Sequence, residues 1–191
     1  LPQLLLTTST LMKLHTLLCT AALALTGCAT SIESNTGRGT LEAGASWALL
    51  PLSNNTDTPQ AALSAESMLE HLLRRRGVPE LKIYPAALSR DSLFEPSERK
   101  VSEEAQKWAR EQGVRYAVSG SVEEWRYKVG LDGEPAVGIT VKVTDLSSGQ
   151  IVWSTTAASS GWSRQALSGV AQAVMRDALT SLPLPAVAPA K

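Results

Sequence analysis

Cys28 is the residue whose type and surroundings most clearly predict a chemical event in this chain. It follows an apolar run from Thr16 to Thr26, and Lys13 with His15 supplies a positively charged segment before that run. A positive segment, a short apolar segment and small residues before the cut are the parts of a secretory signal. The run is too short to cross a bilayer, which takes about 20 apolar residues. We therefore predict a signal peptide cleaved directly before Cys28.

The four residues Leu25-Thr26-Gly27-Cys28 resemble the lipobox of bacterial lipoproteins. The resemblance implies that the Cys28 thiol receives a diacylglyceryl group and that Cys28 becomes the new N-terminus. Residue 29 is alanine and not aspartate, which in lipoprotein sorting signals favours the outer membrane over retention in the inner membrane. A buried core helix and an ordinary cleaved signal are the competing interpretations.

The composition along the chain predicts one domain. The residues before Met12 carry no charge and are interpreted as spurious upstream sequence, so that residues 1–27 comprise this stretch and the signal peptide. Residues 28–45, rich in Ser, Thr and Gly, are predicted to form a lipidated flexible tether. Residues 46–182 are predicted to fold as a periplasmic α/β domain, and residues 183–191 to form a disordered tail.

The charge balance argues against a nucleic-acid-binding protein, and the cysteine content predicts a domain without disulfides. The chain has 18 basic and 18 acidic residues, and removal of Lys13 leaves a net charge of about −1. That balance leaves no electrostatic footprint for nucleic acid. Cys19 is lost with the signal and Cys28 would be lipidated, so we expect no disulfide, although the periplasm permits one.

The apolar pattern predicts the element order β-α-β-α-β-β-β-α. The predicted strands are 46–52, 81–84, 114–129, 137–144 and 151–159, and the predicted helices are about 59–76, 97–112 and 163–182. Thr58 is the predicted N-cap of the first helix, with Pro59 at its first position. We expect a mixed sheet with an antiparallel C-terminal meander, packed by helices.

Residue types that enzymes use for catalysis are scarce after the signal. His71 is the lone histidine there, inside a predicted helix, where a histidine is most often an ordinary surface residue. There is no Gly-x-Ser-x-Gly elbow, no Cys/His cluster and no phosphate-binding glycine loop. Glu123 and Glu124 are neighbours on a predicted strand, so their side chains should point to opposite faces. We predict a protein that is not an enzyme and that binds no cofactor or metal.

Two residues have both an ordinary and a functional interpretation. Trp162 stands between Gly161 and the last helix, and is either packed or exposed at a loop tip, where tryptophan favours protein or membrane interfaces. Asp132 lies in the turn GLDGEP, and Asp before Gly is a common turn pair. Turn chemistry alone accounts for Asp132, so a functional role needs another argument.

Several blocks of the sequence resemble the PelC family, the lipoproteins of Pel exopolysaccharide export. The blocks are WALLPLSNNTDTPQAALSAE, LLRRRGV, GVRYAVSGSVEEW, RYKVGLDGEPAVGITV, DLSSGQIVWS and SGWSR, and together they cover nearly the whole mature chain. More distantly, the element order is similar to that of the N-terminal domain of TolB and of the lipoprotein activators of penicillin-binding proteins.

The resemblance implies a non-enzymatic lipoprotein on the periplasmic leaflet of the outer membrane. Family members form a twelve-subunit ring beneath the porin-like exporter PelB and guide a cationic amino-sugar exopolysaccharide to it. Asp132 matches the family's acidic pore-lining residue, and Trp162 matches its membrane-facing tryptophan. One Asp per subunit becomes a focused negative field when a ring repeats it. Trp162 and the Cys28 lipids are then expected on the face opposite the acidic pore.

Two other functions stay open at this stage. A monomeric regulatory lipoprotein that binds a periplasmic enzyme would have to reach across the periplasm, whereas the stretch 29–45 spans at most about 55–60 Å when extended. An uncharacterised hydrolase would need His71 in a pocket beside a nucleophile.

Overall fold

One mixed sheet organises the fold. The computed structural model describes residues 30–36, 41–42, 44–78, 80–85, 98–130 and 133–184. The strands of this part are β1 (Thr30–Thr36), β2 (Trp47–Leu49), β3 (Ser53–Asn54), β4 (Leu81–Ile83), β5 (Tyr116–Tyr127), β6 (Pro135–Asp145) and β7 (Gln150–Ser160). Its helices are α1 (Ala61–Arg75), α2 (Glu98–Glu111) and α3 (Leu167–Ala178), and a 3₁₀ turn (Leu179–Ser181) follows α3.

The sheet joins a parallel half to an antiparallel half. Its strand order is β1-β7-β6-β5-β2-β4, and β3 runs beside β5. β2 is parallel to β4 and to β5, as strands joined by helical crossovers are. β5, β6 and β7 form an antiparallel meander, and Gly149 in the β6–β7 turn has a φ of 72°, which favours glycine. The predicted α/β class and the C-terminal meander are confirmed.

The helices bury the two faces of the sheet unequally. α1 and α3 cover one face, with Leu73 and Met175 fully buried in the same core as Ile139 of β6. α2 packs on the other face, where Ala105 and Ala109 join a smaller core beside β2 and β5. Polar residues of β6 and β7 line an open cavity on that second face. Alternation of buried and polar positions along β6 follows from this one-sided cover.

Strand β1 occupies a position where we expected flexible tether. Thr30–Thr36 pairs antiparallel with β7, with Thr30 opposite Ser159. Thr155 Oγ1 on β7 donates a hydrogen bond to Glu33 O at 3.1 Å, and Leu41 is buried. A strand at the edge of a sheet can be polar because much of it meets water. The folded domain therefore includes residues that composition had assigned to the tether.

Helix α1 begins later than predicted. Thr58 does not cap it, because its Oγ1 donates to Trp125 O on β5, and Gln60 stands before the first helical residue with a φ of 60°. A tertiary hydrogen bond has replaced the local cap that the sequence suggested. α3 likewise begins at Leu167 and not at residue 163.

Candidate functional site

Trp162 is exposed to solvent. Its side chain is 60 % accessible, which decides between the packed and the exposed interpretation. Its contact with a membrane remains a prediction. Cys28 and Asp132 lie outside the residues that the structure describes, so their predicted roles also stay predictions.

Four strand ends meet beside Trp162, and we call this region the hairpin end of the sheet. They are the start of β1 at Thr30, the end of β5 at Tyr127, the start of β6 at Pro135 and the end of β7 at Ser160. The antiparallel pairing of β1, β5, β6 and β7 puts these ends together. Residues far apart in the sequence therefore form one surface.

Hydrogen bonds fix the backbone that carries Trp162. The Gly161 N–H donates to Pro135 O at 2.8 Å, and the Trp162 N–H donates to Gln165 Oε1 at 2.8 Å. A side chain at position 161 would force its neighbours to shift, because a Cβ there would lie 2.4 Å from Gln165 Oε1 and 2.6 Å from Val170 Cγ2. The backbone is anchored while the indole projects into solvent.

Tyr127 links β5 to the first turn of α3. The N–H of Leu167 donates to Tyr127 Oη at 3.0 Å. N–H groups in the first turn of a helix lack helical partners, so this phenol oxygen acts as an N-terminal cap of α3. The Tyr127 side chain is nevertheless 50 % exposed. Sequence reasoning assigned it no role, because its partner is 40 residues away.

The two flanks of the turn that carries Asp132 lie at the hairpin end. They are Gly130 and Gly133, the latter with a φ of 50°, and the Lys128 N–H donates to Glu134 O at 2.7 Å to close the hairpin. The expectation that the acidic pore and the tryptophan lie on opposite faces concerns a ring of subunits, so it stays a prediction.

An acidic cavity of about 530 Å³ opens on the polar face near this end, lined by Asp57, Glu123 and Glu124 among others. The two adjacent glutamates were expected on opposite faces, and that prediction is wrong. A β-bulge between Val122 and Glu124 inserts an extra residue opposite β6, so both glutamates line one cavity. No local sequence pattern predicts the bulge, because the bulge depends on how β5 pairs with Gly138 of the partner strand β6.

Hydrogen bonds from neutral side chains stabilise the charge on Glu123. Ser121 Oγ and Asn55 Nδ2 donate to its carboxylate at 2.5 and 3.0 Å, and these hydrogen bonds hold the pKa of Glu123 below its usual range. Glu124 differs, because Arg126 Nε lies 3.0 Å from its Oε1. The cavity therefore keeps negative charge at neutral pH, a property suited to attracting cations.

His71 lies exposed on α1, in a groove that also contains Arg75 and Arg176. The groove also contains the hydroxyl of Ser67, whose Oγ donates a hydrogen bond to Leu63 O at 3.1 Å and not to the histidine. No nucleophile is hydrogen-bonded to the histidine in the described part of the chain, although nucleophilic catalysis uses such a pair. The hydrolase hypothesis has no support from this geometry.

The described ranges hold neither a cluster of metal-binding side chains nor a membrane-spanning helix. They contain no group of three or more His, Cys, Asp or Glu side chains placed to hold a metal ion. They also contain no helix that is long and apolar enough to span a bilayer.

Comparison with known proteins identifies close structural relatives. No family model matches the chain, and no curated protein sequence matches it either. The PelC dodecamer from Paraburkholderia phytofirmans is 38 % identical, with a TM-score of 0.69 over 82 % of this chain and 99 % of that one. A single-residue variant of that dodecamer is 39 % identical, with a TM-score of 0.70 over 82 % of this chain and 100 % of that one.

A more distant relative shares the fold alone. Lipoprotein GNA1162 from Neisseria meningitidis is 16 % identical, with a TM-score of 0.54 over 71 % of this chain and 96 % of that one. At that identity only the arrangement of the strands and helices is comparable.

Proposed function

Because this chain belongs to the PelC family, we propose that it is a non-enzymatic lipoprotein of Pel exopolysaccharide export. The observation that carries the proposal is the identity of 38 % to a PelC dodecamer across 82 % of the chain. We place its action at the periplasmic leaflet of the outer membrane, with Cys28 as the lipid anchor. The proposal requires no cofactor and no metal.

The chain is proposed to assemble into a homo-oligomeric ring. Both PelC relatives are dodecamers, which supports twelve subunits here. Identical subunits that contact one another head to tail close into a ring when the rotation between neighbours divides a full turn. One lipidated cysteine per subunit would then give the ring many anchors, so that release from the membrane would be very slow.

The ring is proposed to guide a cationic polysaccharide towards the exporter PelB. Asp132 is the proposed pore-lining residue, and repetition around the ring would concentrate its charge in a narrow opening. The flanks of its turn lie at the hairpin end, beside exposed Trp162. In the proposed ring the acidic opening receives the polymer, whereas Trp162 and the Cys28 lipids face the membrane.

Secretion of the polymer tests the pore role. Asp132→Lys should reduce secretion strongly while leaving the unfolding transition unchanged, since it reverses the charge at every repeat of the opening. Glu104→Lys is the matched control, because it makes the same charge reversal on an exposed position of α2. Normal secretion by the Asp132→Lys strain, or an equal loss in the control strain, would remove the role assigned to Asp132.

Mass measurement of the detergent-extracted protein tests the assembly. A closed oligomer of about twelve subunits is expected at micromolar concentration, as in the PelC relatives. A strict monomer would contradict the ring and favour the monomeric regulatory lipoprotein that binds a periplasmic enzyme.

A further inference from the structure

The groove between α1 and α3 carries positive charge that the described part of the subunit does not balance. Its volume is about 510 Å³, and its walls include His71 and Arg75 of α1 and Arg176 of α3. No Asp or Glu of the described residues lines it. Asp177 lies outside the groove with its Oδ1 3.7 Å from Arg176 Nε, whereas Arg75 has no ion pair within the described ranges. We call this surface the cationic groove.

The floor of the cationic groove is apolar. Leu72 and Met68 line it, and of these Leu72 is buried and Met68 packs against the main core. Ser64 and Gln172 add hydrogen-bonding groups to its walls. Methionine and arginine are enriched in protein–protein interfaces relative to the rest of a protein surface. The composition of the groove is therefore typical of a contact with another protein.

The acidic cavity opens on the opposite side of the subunit. Ala158 of β7 lines it, whereas the preceding residue, Ala157, is buried in the core that α1 and α3 cover. Neighbouring residues of a strand point to opposite faces of the sheet. A head-to-tail ring needs two different surfaces on opposite sides, since each subunit contacts two neighbours and a ring of about twelve subunits turns by only about 30° at each contact.

The acidic cavity carries the opposite excess of charge. Arg126 Nε lies 3.0 Å from Glu124 Oε1, so this pair is neutral. Asp57 and Glu123 are exposed and have no ion pair within the described ranges, and the hydrogen bonds that Glu123 accepts come from neutral side chains. Each side of the subunit therefore presents charge that a second copy could neutralise.

We infer that the cationic groove, through Arg75 and Arg176, binds the acidic cavity of the next copy of this chain at Glu123. The inference deepens the proposed function and rests on the ring proposed there, because it names the two surfaces by which each subunit meets its neighbours. Its occupant is a second copy, since the two surfaces are complementary in charge and lie on opposite sides of the subunit, and since the PelC relatives are dodecamers. Charge pairs across an interface speed the encounter, fix the register and suppress wrong pairings. Two grooves or two cavities repel each other, so the contact is head to tail.

Charge reversal with rescue by mixing tests this contact. The groove variant carries Arg75→Glu and Arg176→Glu, and the cavity variant carries Asp57→Lys and Glu123→Lys. Unfolding curves establish that each variant is folded before its assembly is measured. Where a double variant has no unfolding transition, Arg75→Glu alone or Asp57→Lys alone takes its place, because both positions are exposed.

Mass measurement of the detergent-extracted mature chains at micromolar concentration gives the size of each assembly. Each variant alone should lose the ring, with its subunit dissociation constant raised at least about 100-fold, because every groove then meets a cavity of like charge. An equimolar mixture of the two variants should recover a ring in which they alternate, since every groove then meets a cavity of opposite charge. A ring formed by either variant alone, or no ring in the mixture, would overturn the inference.

The matched control is Lys100→Glu with Arg110→Glu, which makes the same change of charge as the groove variant at two exposed positions of α2. The control should keep the ring. Loss of the ring by the control would contradict the inference, because net charge and not the groove would then govern assembly.

The wild-type chain separates this inference from the proposed function. A wild-type ring together with rings of the groove and cavity variants would show that the proposed assembly is right and that its contact surfaces lie elsewhere. A monomeric wild type would instead refute the proposed ring itself.

Discussion

The two ends of the sheet are built from different kinds of contact. At the end opposite the hairpin end, Arg115 Nη1 lies 2.8 Å from Glu42 Oε1, and Arg115 Nε lies 3.7 Å from Asp145 Oδ2. The same guanidinium lies 4.9 Å from the centroid of the Tyr116 ring. Trp47 is fully buried there, and its Nε1–H donates to Glu42 O at 3.0 Å. Charged and aromatic side chains at this end are therefore paired with partners inside the subunit.

The hairpin end leaves its apolar groups facing water. Three large apolar side chains are at least half exposed there, namely Tyr127, Trp162 and the fully exposed Val129. Apolar groups stabilise a fold only when they are buried. The contrast indicates that side chains at the opposite end contribute more to stability than the side chains exposed at the hairpin end.

The same substitution at the two ends should separate these roles most clearly. Trp47→Ala should lower the free energy of unfolding by about 3–5 kcal/mol, because it empties a fully buried site. Trp162→Ala should change it by no more than about 0.5 kcal/mol, because the indole is exposed. Urea unfolding of both variants measures the difference, and equal losses would refute the contrast between the ends.

Gly161→Ala should be the most damaging small change at the hairpin end. Its new Cβ would meet Gln165 Oε1 and Val170 Cγ2 at 2.4 and 2.6 Å, so we expect a loss of about 1–3 kcal/mol from overpacking. Gly130→Ala is the control, because no atom of the described residues lies within 4 Å of its added Cβ. Thermal unfolding distinguishes them, and the prediction fails if both variants melt like the wild type.

Tyr127→Phe should cost about 0.5–1.5 kcal/mol by removing the oxygen that accepts the Leu167 N–H. The loss should be local, so hydrogen exchange at the Leu167 amide should accelerate while core amides exchange as before. Unchanged protection at that amide would mean that water replaces the phenol without cost.

Asp145→Asn should have a small effect on stability, and one that depends on pH. Hydrogen bonds from Ser147, chiefly from its hydroxyl, and the charge of Arg115 hold the pKa of Asp145 below its usual range. A carboxyl whose pKa is lowered by folding stabilises the fold above its unfolded pKa, near 3.9, and loses that contribution as the pH falls through its folded value.

The variant should therefore lose at most about 1 kcal/mol at pH 7, because the ion pair is at the surface. It should also lose less of its stability than the wild type on acidification below about pH 4. Unfolding curves at pH 7 and pH 3 measure both quantities. If the variant were less stable than the wild type by as much at pH 3 as at pH 7, the lowered pKa of Asp145 would be contradicted.

Predictions that depend on local pattern agree with the structure. Alternating valines and threonines predicted β6, and the observed strand is Pro135–Asp145. The charged helix predicted at 97–112 is observed at Glu98–Glu111. Both elements are determined by the spacing of residues within a single segment, which sequence periodicity reports directly.

Predictions that depend on a distant partner failed or could not be made. β1 exists because β7 offers an unpaired edge, and the two strands are more than 100 residues apart along the chain. The bulge that unites Glu123 with Glu124 depends on how β5 pairs with β6. Thr58 donates a hydrogen bond to Trp125 O and does not cap the helix. In each case a tertiary contact competes with the local preference and decides the outcome.

The sequence by itself determined the α/β class, the order of the elements from α1 onward and the family resemblance, because these are properties of contiguous segments. Only the tertiary structure decided which of those segments share an end of the sheet. Antiparallel pairing brings the first residue of β1, the β5–β6 hairpin and the residues after β7 together, so that Tyr127, Val129 and Trp162 lie at one end of the sheet. Pairing depends on the summed free energy of many contacts across strands, and no single segment carries that information.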